Sequence, residues 1–245
     1  MKYVTDHHDS QYWILHEALA AYNRRNSDEP GEIPEDPDQA LLILLAQRFP
    51  GRKQGDFTTD DLEKLPDQLR VELIDGRIYL MAVPSDIHQT IAGTIYARLL
   101  DFVLTHNSPC HPMIAPFDVR PDADKKTSVQ PDVLLIARRS ASALNKNFFN
   151  GAPALVIEVL SPSTQKRDRT IKLQKYMKSG VREYWIVDPF RHQVIVYLFR
   201  DCTEYDVRIY TFSDRIPVSV CEGGCILDFS DITKALAHLE SMTDA

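Results

Sequence analysis

The clearest pattern in the chain is a run of apolar residues at helical spacing between Asp86 and His106. These residues recur every four positions and share one face of a helix: Ile87, Ile91, Ile95 and Leu99. Ser85 or Asp86 is the predicted N-cap, because its side-chain oxygen can accept a hydrogen bond from an N–H of the first turn. The pattern therefore predicts a long amphipathic helix that packs one face against a core.

Predicted strands lie on both sides of this helix. Before it, Asp75-Gly76 separates two β-rich runs, and the glycine accepts the positive φ of a tight hairpin turn. After it, three strands are predicted: Ile114 to Arg120, Val129 to Ala137, and Ala154 to Leu160. The last of them is apolar except for Glu158, as expected of a central strand that is covered on both faces.

A second helix is predicted directly after that central strand. It starts in the segment Ser161 to Thr164 and is expected to end at Gly180. Further elements are a strand at 183–188, an antiparallel pair at 194–199 and 207–212, and a short helix at 231–239. A helix between two buried strands indicates a mixed sheet with helices on its faces. The predicted fold class is therefore α/β (α+β).

The first 55 residues differ from the rest of the chain. Helices are predicted at 13–22 and 40–49, and an acidic, proline-rich linker from Pro30 to Pro37 separates them. The second helix is more apolar than a solvated helix should be, which indicates a packing arm and a candidate dimer contact. The expected organisation is a helical arm and linker over residues 1–55 and a main domain over 56–245.

Composition narrows the class of protein. With 28 basic and 35 acidic residues, the net charge of −7 argues against a surface coated for nonspecific nucleic-acid binding. No apolar run approaches the roughly 20 residues of a transmembrane helix, and the N-terminus lacks a signal-peptide pattern, so a cytoplasmic location is expected. The four cysteines are then expected to be reduced. Cys221 and Cys225 could form half of a zinc site, but buried or turn cysteines are favoured.

Two carboxylates occur in or next to segments that are expected to be buried, where an ionised acid is energetically unfavourable. Asp132 comes directly before a buried-type strand, and Glu158 lies inside one. A buried carboxylate is usually paired, protonated or bound to a metal. Asp132 could be an ordinary strand-start residue, and Glu158 could form a buried ion pair with a lysine or arginine. Tyr184 and Trp185, in the following strand, are interpreted as core aromatics rather than base-stacking residues.

Basic residues cluster in the second predicted helix and its start: Lys166, Arg167, Arg169, Lys172, Lys175 and Lys178. Two interpretations of this cluster stay open. It is either a local basic surface for nucleic acid or an ordinary solvated helix face.

Seven motifs stand in one order along the chain: VELIDG (71–76), SDIHQ (85–89), PFDVR (116–120), QPDVLLI (130–136), LVIEVLSPST (155–164), RDRTIKLQKY (167–176) and GVREYWIVDP (180–189). Together they resemble the Uma family of restriction endonucleases, a bacterial, notably cyanobacterial, branch of the PD-(D/E)XK nucleases. The resemblance covers Thr58 to Thr233 and leaves out the arm. It implies a restriction-endonuclease-like mixed sheet flanked by helices, and a DNA endonuclease that depends on Mg²⁺ or Mn²⁺.

The resemblance also implies roles for single residues. Asp132 matches the motif aspartate and Glu158 the acid of the second half-motif, and both would bind the metal. Glu72 matches an acid on the first hairpin that can complete the coordination or orient a water. Asp118 lies in the PFDV motif, where a structural role is favoured.

The chain departs from the superfamily pattern at one position, because Leu160 stands where a lysine is expected two residues after the acid. Lys172 is the predicted replacement, since it shares one helical face with Asp168 and Tyr176 and could stabilise charge in the transition state. The alternative is an Asp168–Lys172 surface pair, and Lys166 is the reserve candidate.

Substrate contacts are predicted for Lys166, Arg169 and His88, although a structural role for the histidine stays open. The leading function is a metal-dependent DNA endonuclease, expected to act as a homodimer. A catalytically inactive DNA-binding or scaffold protein is the alternative, supported by Leu160 and the acidic charge. A weaker third hypothesis is a sugar hydrolase in which Asp132 and Glu158 act as acid and base.

Overall fold

The structure, a computed structural model, describes residues 9–26, 33–121, 125–221 and 224–243. The chain divides into two compact units, Met1–Pro84 with Asp124–Val129, and Ser85–Ala123 with Gln130–Ala245. The helices are α1 (Asp9–Asn26), α2 (Pro37–Arg48), α3 (Thr59–Leu62), α4 (Asp86–His106), α5 (Gln165–Arg167), α6 (Leu173–Ser179) and α7 (Ser230–Thr243). A 3-10 helix covers Arg138–Ala143, and a π-helical turn covers Asp168–Lys172.

The strands of the first unit are β1 (Val71–Ile74) and β2 (Arg77–Leu80). Those of the second unit are β3 (Cys110–Ile114), β4 (Asp118–Val119), β5 (Val133–Ala137), β6 (Phe148–Phe149), β7 (Leu155–Val159), β8 (Glu183–Asp188), β9 (Gln193–Phe199), β10 (Tyr205–Thr211), β11 (Arg215–Pro217) and β12 (Ile226–Asp228). Of the predicted linker, residues 30–32 lie outside the described residues, and α2 begins at Pro37. No described helix is long and apolar enough to cross a membrane.

The core of the first unit joins α1, α2 and the β1–β2 hairpin. Asp36 caps α2 by accepting a hydrogen bond from the Asp38 N–H at 2.9 Å. Apolar side chains of this unit are buried together: Leu15, Leu19, Leu41, Leu44, Leu45, Leu73 and Ile78. The apolar composition of α2 thus reflects packing within its own unit and gives no support to a dimer contact at this helix.

The predicted hairpin turn has the expected backbone conformation. Asp75 and Gly76 have φ values of 50° and 72°, the two positive angles that a two-residue turn of this kind requires. A Cβ at Gly76 would lie 2.3 Å from the carbonyl oxygen of Gly55. The glycine is therefore required both by the turn and by the close approach of a second backbone segment.

A six-stranded sheet with the order β10-β9-β8-β7-β5-β3 forms the centre of the second unit. β7 and β8 run parallel, and the other neighbouring strands are antiparallel. Alternate residues such as Ile157 and Trp185 join α4 in one core. Because strand residues alternate between faces, Glu158 and Tyr184 belong to the opposite face. The predicted α/β (α+β) class with a mixed central sheet is confirmed.

One predicted strand was placed wrongly. The segment from Ile114 to Arg120 is not a single strand, since β3 ends at Ile114 and the short β4 pairs with β6. Pro116 lies between β3 and β4 and has no N–H to donate to a ladder. The residues that do form β3 include Pro112, which hid the strand pattern and is tolerated because β3 lies at the sheet edge.

Candidate active site

Asp132 and Glu158 come from neighbouring strands of the sheet. β5 and β7 pair in a register that sets Val133 opposite Ile157. Continuing this antiparallel register by one residue places Asp132 opposite Glu158. Directly opposed residues have Cβ atoms about 5 Å apart. The sheet therefore brings the two predicted metal ligands next to each other at the end of β7.

The carboxylate of Asp132 is fixed by two donors. Its Oδ2 accepts a hydrogen bond from the backbone N–H of Val159 at 2.7 Å and lies 3.2 Å from Nε2 of His88. Its side chain is only 16% exposed. The Val159 contact holds Asp132 beside the residue that follows Glu158, and the His88 contact joins it to α4.

His88 reaches this carboxylate from the first turn of α4. Ser85 is the N-cap, and its Oγ accepts a hydrogen bond from the His88 N–H at 3.2 Å. Burial on its own would lower the pKa of His88, but the hydrogen bond and charge of Asp132 outweigh it, so the pKa is raised above its ordinary value. His88 thus lies beside Asp132, and its predicted contact with substrate stays a prediction.

Glu158 is held by two donors from the following helix. The ammonium of Lys172 lies 2.9 Å from Oε1 of Glu158, and the Tyr176 hydroxyl donates to the same oxygen at 2.7 Å. Lys172 also lies 3.6 Å from Oδ1 of Asp168. Glu158 therefore forms a buried ion pair, which was one of its two interpretations. Its partner is Lys172, the residue predicted to replace the lysine that the superfamily motif has at the position of Leu160.

Asp168 and Lys172 do not form a surface pair. Their exposed fractions are 2% and 3%, so the interpretation as a solvated helix pair is wrong. Buried charges of this kind are stable only when they are paired, because the protein interior solvates ions poorly. Lys172 meets this condition through the carboxylates of Glu158 and Asp168.

The helix after β7 is interrupted by a π-helical turn at Asp168–Lys172. A π turn has i→i+5 hydrogen bonds and more residues per turn than an α-helix, so residues four apart come closer to alignment. Asp168, Lys172 and Tyr176 were predicted to share one face, and all three are buried on the side of Glu158. Sequence periodicity alone gave no indication of the π turn. Gly180 ends α6 with a φ of 89°, as predicted.

Tyr184 is a member of this cluster to which the sequence assigned only a core role. Its hydroxyl donates to the backbone carbonyl of Asp168 at 3.1 Å. Burial raises its pKa well above the ordinary value, and the charges of Asp168 and Glu158 raise it further. Tyr184 is therefore a neutral donor that anchors the π turn. Trp185, interpreted as core, is fully buried.

The predicted basic cluster does not form one surface. Lys172 is buried, whereas Lys166 and Lys178 are exposed. Arg169 pairs with Asp188 at the end of β8, with its Nη2 2.6 Å from Oδ2. Neither the single basic surface nor the uniformly solvated face is therefore correct. Lys166 stays exposed to solvent, whereas Arg169 is half-buried against Asp188.

Two further predicted residues lie elsewhere on the chain. Glu72 is on β1 in the first unit and is 1% exposed. Asp118 is on β4, and its Oδ1 accepts a hydrogen bond from Nε2 of Gln130 at 2.8 Å. This contact suits the structural role favoured for Asp118. The role of Glu72 stays a prediction.

The Tyr176 hydroxyl is open to a direct test. Tyr176→Phe removes one of the donors to the buried Glu158 carboxylate, so we expect the free energy of unfolding to fall by about 1–3 kcal/mol. Urea denaturation measures this value. Tyr96→Phe on α4 is the control, because the Tyr96 hydroxyl makes no hydrogen bond within the described residues. Equal stability of the Tyr176 and Tyr96 variants would contradict the hydrogen bond to Glu158.

Comparison with known families identifies the chain. A family model named Uma2, with the description "Putative restriction endonuclease", matches residues 59–229. The chain belongs to the Uma2 family. The resemblance inferred from the seven motifs is thereby confirmed, and the match contains Asp132, Glu158 and Lys172. No curated protein matches this Uma2 chain.

A solved structure has the same fold as the Uma2 chain. It is a crystal structure of "a putative nuclease belonging to DUF820 from Anabaena variabilis", with a TM-score of 0.61 and 21% identity. The match covers 74% of this chain and 99% of that one. At this identity the likeness establishes the shared fold.

A divalent cation, if one binds, would have Asp132 and Glu158 as its candidate ligands. Within the described residues, no group of three or more His, Cys, Asp or Glu side chains is arranged to hold a metal ion. Mg²⁺ commonly takes one or two protein carboxylates and completes its shell with water and phosphate oxygens. Opposed Asp132 and Glu158 fit that donor set, because both supply hard oxygen ligands.

The cysteines lie in the core of the second unit, apart from the exposed Cys202. Cys110, Cys221 and Cys225 are buried free thiols, and Ser108 Oγ lies 3.5 Å from the Cys221 sulfur. A hydrogen bond with Cys221, together with burial, raises the pKa of Cys225. Between Cys221 and Cys225, residues 222–223 lie outside the described residues. The arrangement agrees with the favoured interpretation as buried cysteines.

Proposed function

We propose that this Uma2 chain is a DNA endonuclease that hydrolyses phosphodiester bonds with the help of Mg²⁺ or Mn²⁺. The observation that carries the proposal is the β5–β7 register, which, continued by one residue, sets Asp132 opposite Glu158, with the Lys172 ammonium 2.9 Å from Glu158. Carboxylates supply oxygen ligands for a divalent cation, and an ammonium beside them can stabilise negative charge on a phosphate. The family match and the nuclease-like fold agree with this chemistry.

In this proposal, Asp132 and Glu158 hold the divalent cation. When bound, the cation polarises the phosphate and lowers the pKa of a bound water. The Val159 N–H and His88 orient Asp132, because both donate to its Oδ2. Groups that orient a metal ligand in this way commonly tune its affinity for the metal.

Lys172 provides positive charge at the same place. Its ammonium keeps Glu158 in a fixed orientation and would stabilise negative charge that develops on a phosphate. Lys166 and Arg169 would contact the DNA backbone from the same helix. The metal role that the family resemblance implies for Glu72 stays a prediction.

Metal dependence is the direct test. Purified protein incubated with supercoiled plasmid is expected to nick or linearise it in Mg²⁺ or Mn²⁺ and to leave it intact in excess chelator. Adding back the cation should restore cleavage, because the carboxylates cannot activate water alone. Gel electrophoresis of the plasmid measures the rate. Cleavage that continues in excess chelator would refute the mechanism.

The alternative of an inactive DNA-binding or scaffold protein gives a different result. It predicts that the wild-type protein binds duplex DNA in an electrophoretic shift assay and cuts no substrate with any divalent cation. We also propose that the nuclease domain extends from residue 56, a boundary that the family match from residue 59 supports. A homodimer and a cytoplasmic location stay predictions.

A further inference from the structure

The two edges of the six-stranded sheet differ in how they are protected. β3 forms one edge, and its hydrogen bonds to β5 continue in Ala115 N–H to Asp132 O and Arg138 N–H to Pro109 O. The backbone N–H and C=O groups of the odd-numbered residues of β3 therefore bond to β5. Those of the even-numbered residues point away from the sheet. Pro112 occupies the middle one of these positions and offers no N–H there. The β3 edge is therefore blocked against pairing with another strand.

The β10 edge carries no such block. Arg200 N–H donates to Glu204 O at 3.0 Å, and Phe212 N–H donates to His192 O at 3.2 Å, in line with the β9–β10 register. Even-numbered residues of β10 therefore bond to β9, and the odd-numbered ones direct N–H and C=O outward. The outward residues whose N–H and C=O are left for another strand are Tyr205, Val207 and Ile209, because the N–H and C=O of Thr211 both bond to Asp214 in the turn that follows. None of them is a proline.

The residues whose backbone groups point outward also carry side chains that are unusually apolar for an exposed strand. Tyr205, Val207 and Ile209 are 41%, 46% and 64% exposed. They lie on one face of the strand, since strand residues alternate between faces. A seven-residue edge strand with free backbone groups and an exposed apolar face is a template for pairing with another strand.

The charges on β10 match those of a second copy in one antiparallel register. With a two-fold axis at Val207, Asp206 lies opposite Arg208 of the second copy, and the same contact recurs across the axis. The Asp206 carboxylate also pairs with Arg200 of its own chain at 2.8 Å, so in the dimer it would be shared between the two guanidinium groups. Tyr205 then lies opposite Ile209. An axis at Arg208 would instead set two arginines against each other. Opposite charges across the strands favour the first register, and like charges disfavour the second.

We propose that two copies of this chain associate through their β10 strands, antiparallel and edge to edge, with the two-fold axis at Val207. The two six-stranded sheets then become one continuous sheet. Backbone hydrogen bonds form at the outward odd-numbered residues, and the apolar face made by Tyr205, Val207 and Ile209 is shared by both copies. The proposal is independent of whether the protein cuts DNA.

Sedimentation velocity of the full chain over a range of concentrations tests this interface. The wild type is expected to sediment as a dimer of the 28.0 kDa chain and to dissociate on dilution. Val207→Pro removes an N–H that points away from β9, so it takes hydrogen bonds from the interface and none from the sheet. We expect the dissociation constant of the dimer to rise by about 100-fold, because both copies carry the substitution and the interface loses a hydrogen bond from each. Val207→Thr keeps the N–H and should weaken the dimer far less.

A charge reversal tests the register separately. Arg208→Asp places two like charges at each of the symmetric contacts with Asp206, and the dissociation constant is expected to rise by at least about 10-fold. Arg191→Asp makes the same change in charge at an exposed residue between β8 and β9 and should have no effect. A wild type that stays monomeric, or a dimer unchanged by both Val207→Pro and Arg208→Asp, would overturn the proposal.

Discussion

Lys172→Met is expected to lower the rate of DNA cleavage by about 10²–10³-fold and the free energy of unfolding by about 3–5 kcal/mol. The stability falls because Glu158 and Asp168 lose the ammonium that compensates their buried charges. The rate falls because positive charge near the phosphate is lost. Plasmid cleavage and urea denaturation measure the two effects on the same preparation.

Two further variants separate these effects. Lys178→Met changes an exposed lysine on the same helix and should alter stability by less than about 0.5 kcal/mol. Glu158→Gln/Lys172→Met removes both charges of the pair, so it should regain part of the lost stability while cleavage stays low. If Lys172→Met cuts DNA at the wild-type rate, Lys172 has only a structural role.

Asp132→Asn is expected to abolish cleavage, with a loss of at least about 10³-fold in rate. The asparagine oxygen can still accept the hydrogen bond from the Val159 N–H, so the free energy of unfolding should change by about 1 kcal/mol. What the variant loses is the negative charge that holds the divalent cation. Plasmid cleavage and calorimetric titration with Mn²⁺ measure the loss of rate and of metal affinity.

Asp118→Asn is the matched control for this substitution. Asp118 is also half-buried and also accepts a side-chain hydrogen bond, from Gln130, but it lies on β4. We expect this variant to cleave DNA and bind Mn²⁺ as the wild type does. An Asp132→Asn protein that keeps its Mn²⁺ affinity would exclude this residue as a ligand.

The sequence alone determined the local elements and the family. Asp75-Gly76 specified the hairpin because only a few residue types tolerate two positive φ angles in succession. Ser85 and the spacing of the isoleucines specified the start and the buried face of α4. Glu158 is unusual by sequence, because it is the one carboxylate in the apolar run of β7. Each of these signals is local, since it depends on residues within a few positions of one another.

Only the tertiary structure decided what these residues contact. The β5–β7 register sets Asp132 opposite Glu158, and the π turn brings Lys172 and Tyr176 to that carboxylate. The burial of Lys172 between two acids excluded the alternative of a surface pair, and the position of Tyr184 on β8 added its hydroxyl to the same cluster. Strand register and loss of solvent depend on segments far apart in the chain, so the local pattern of one segment does not determine them.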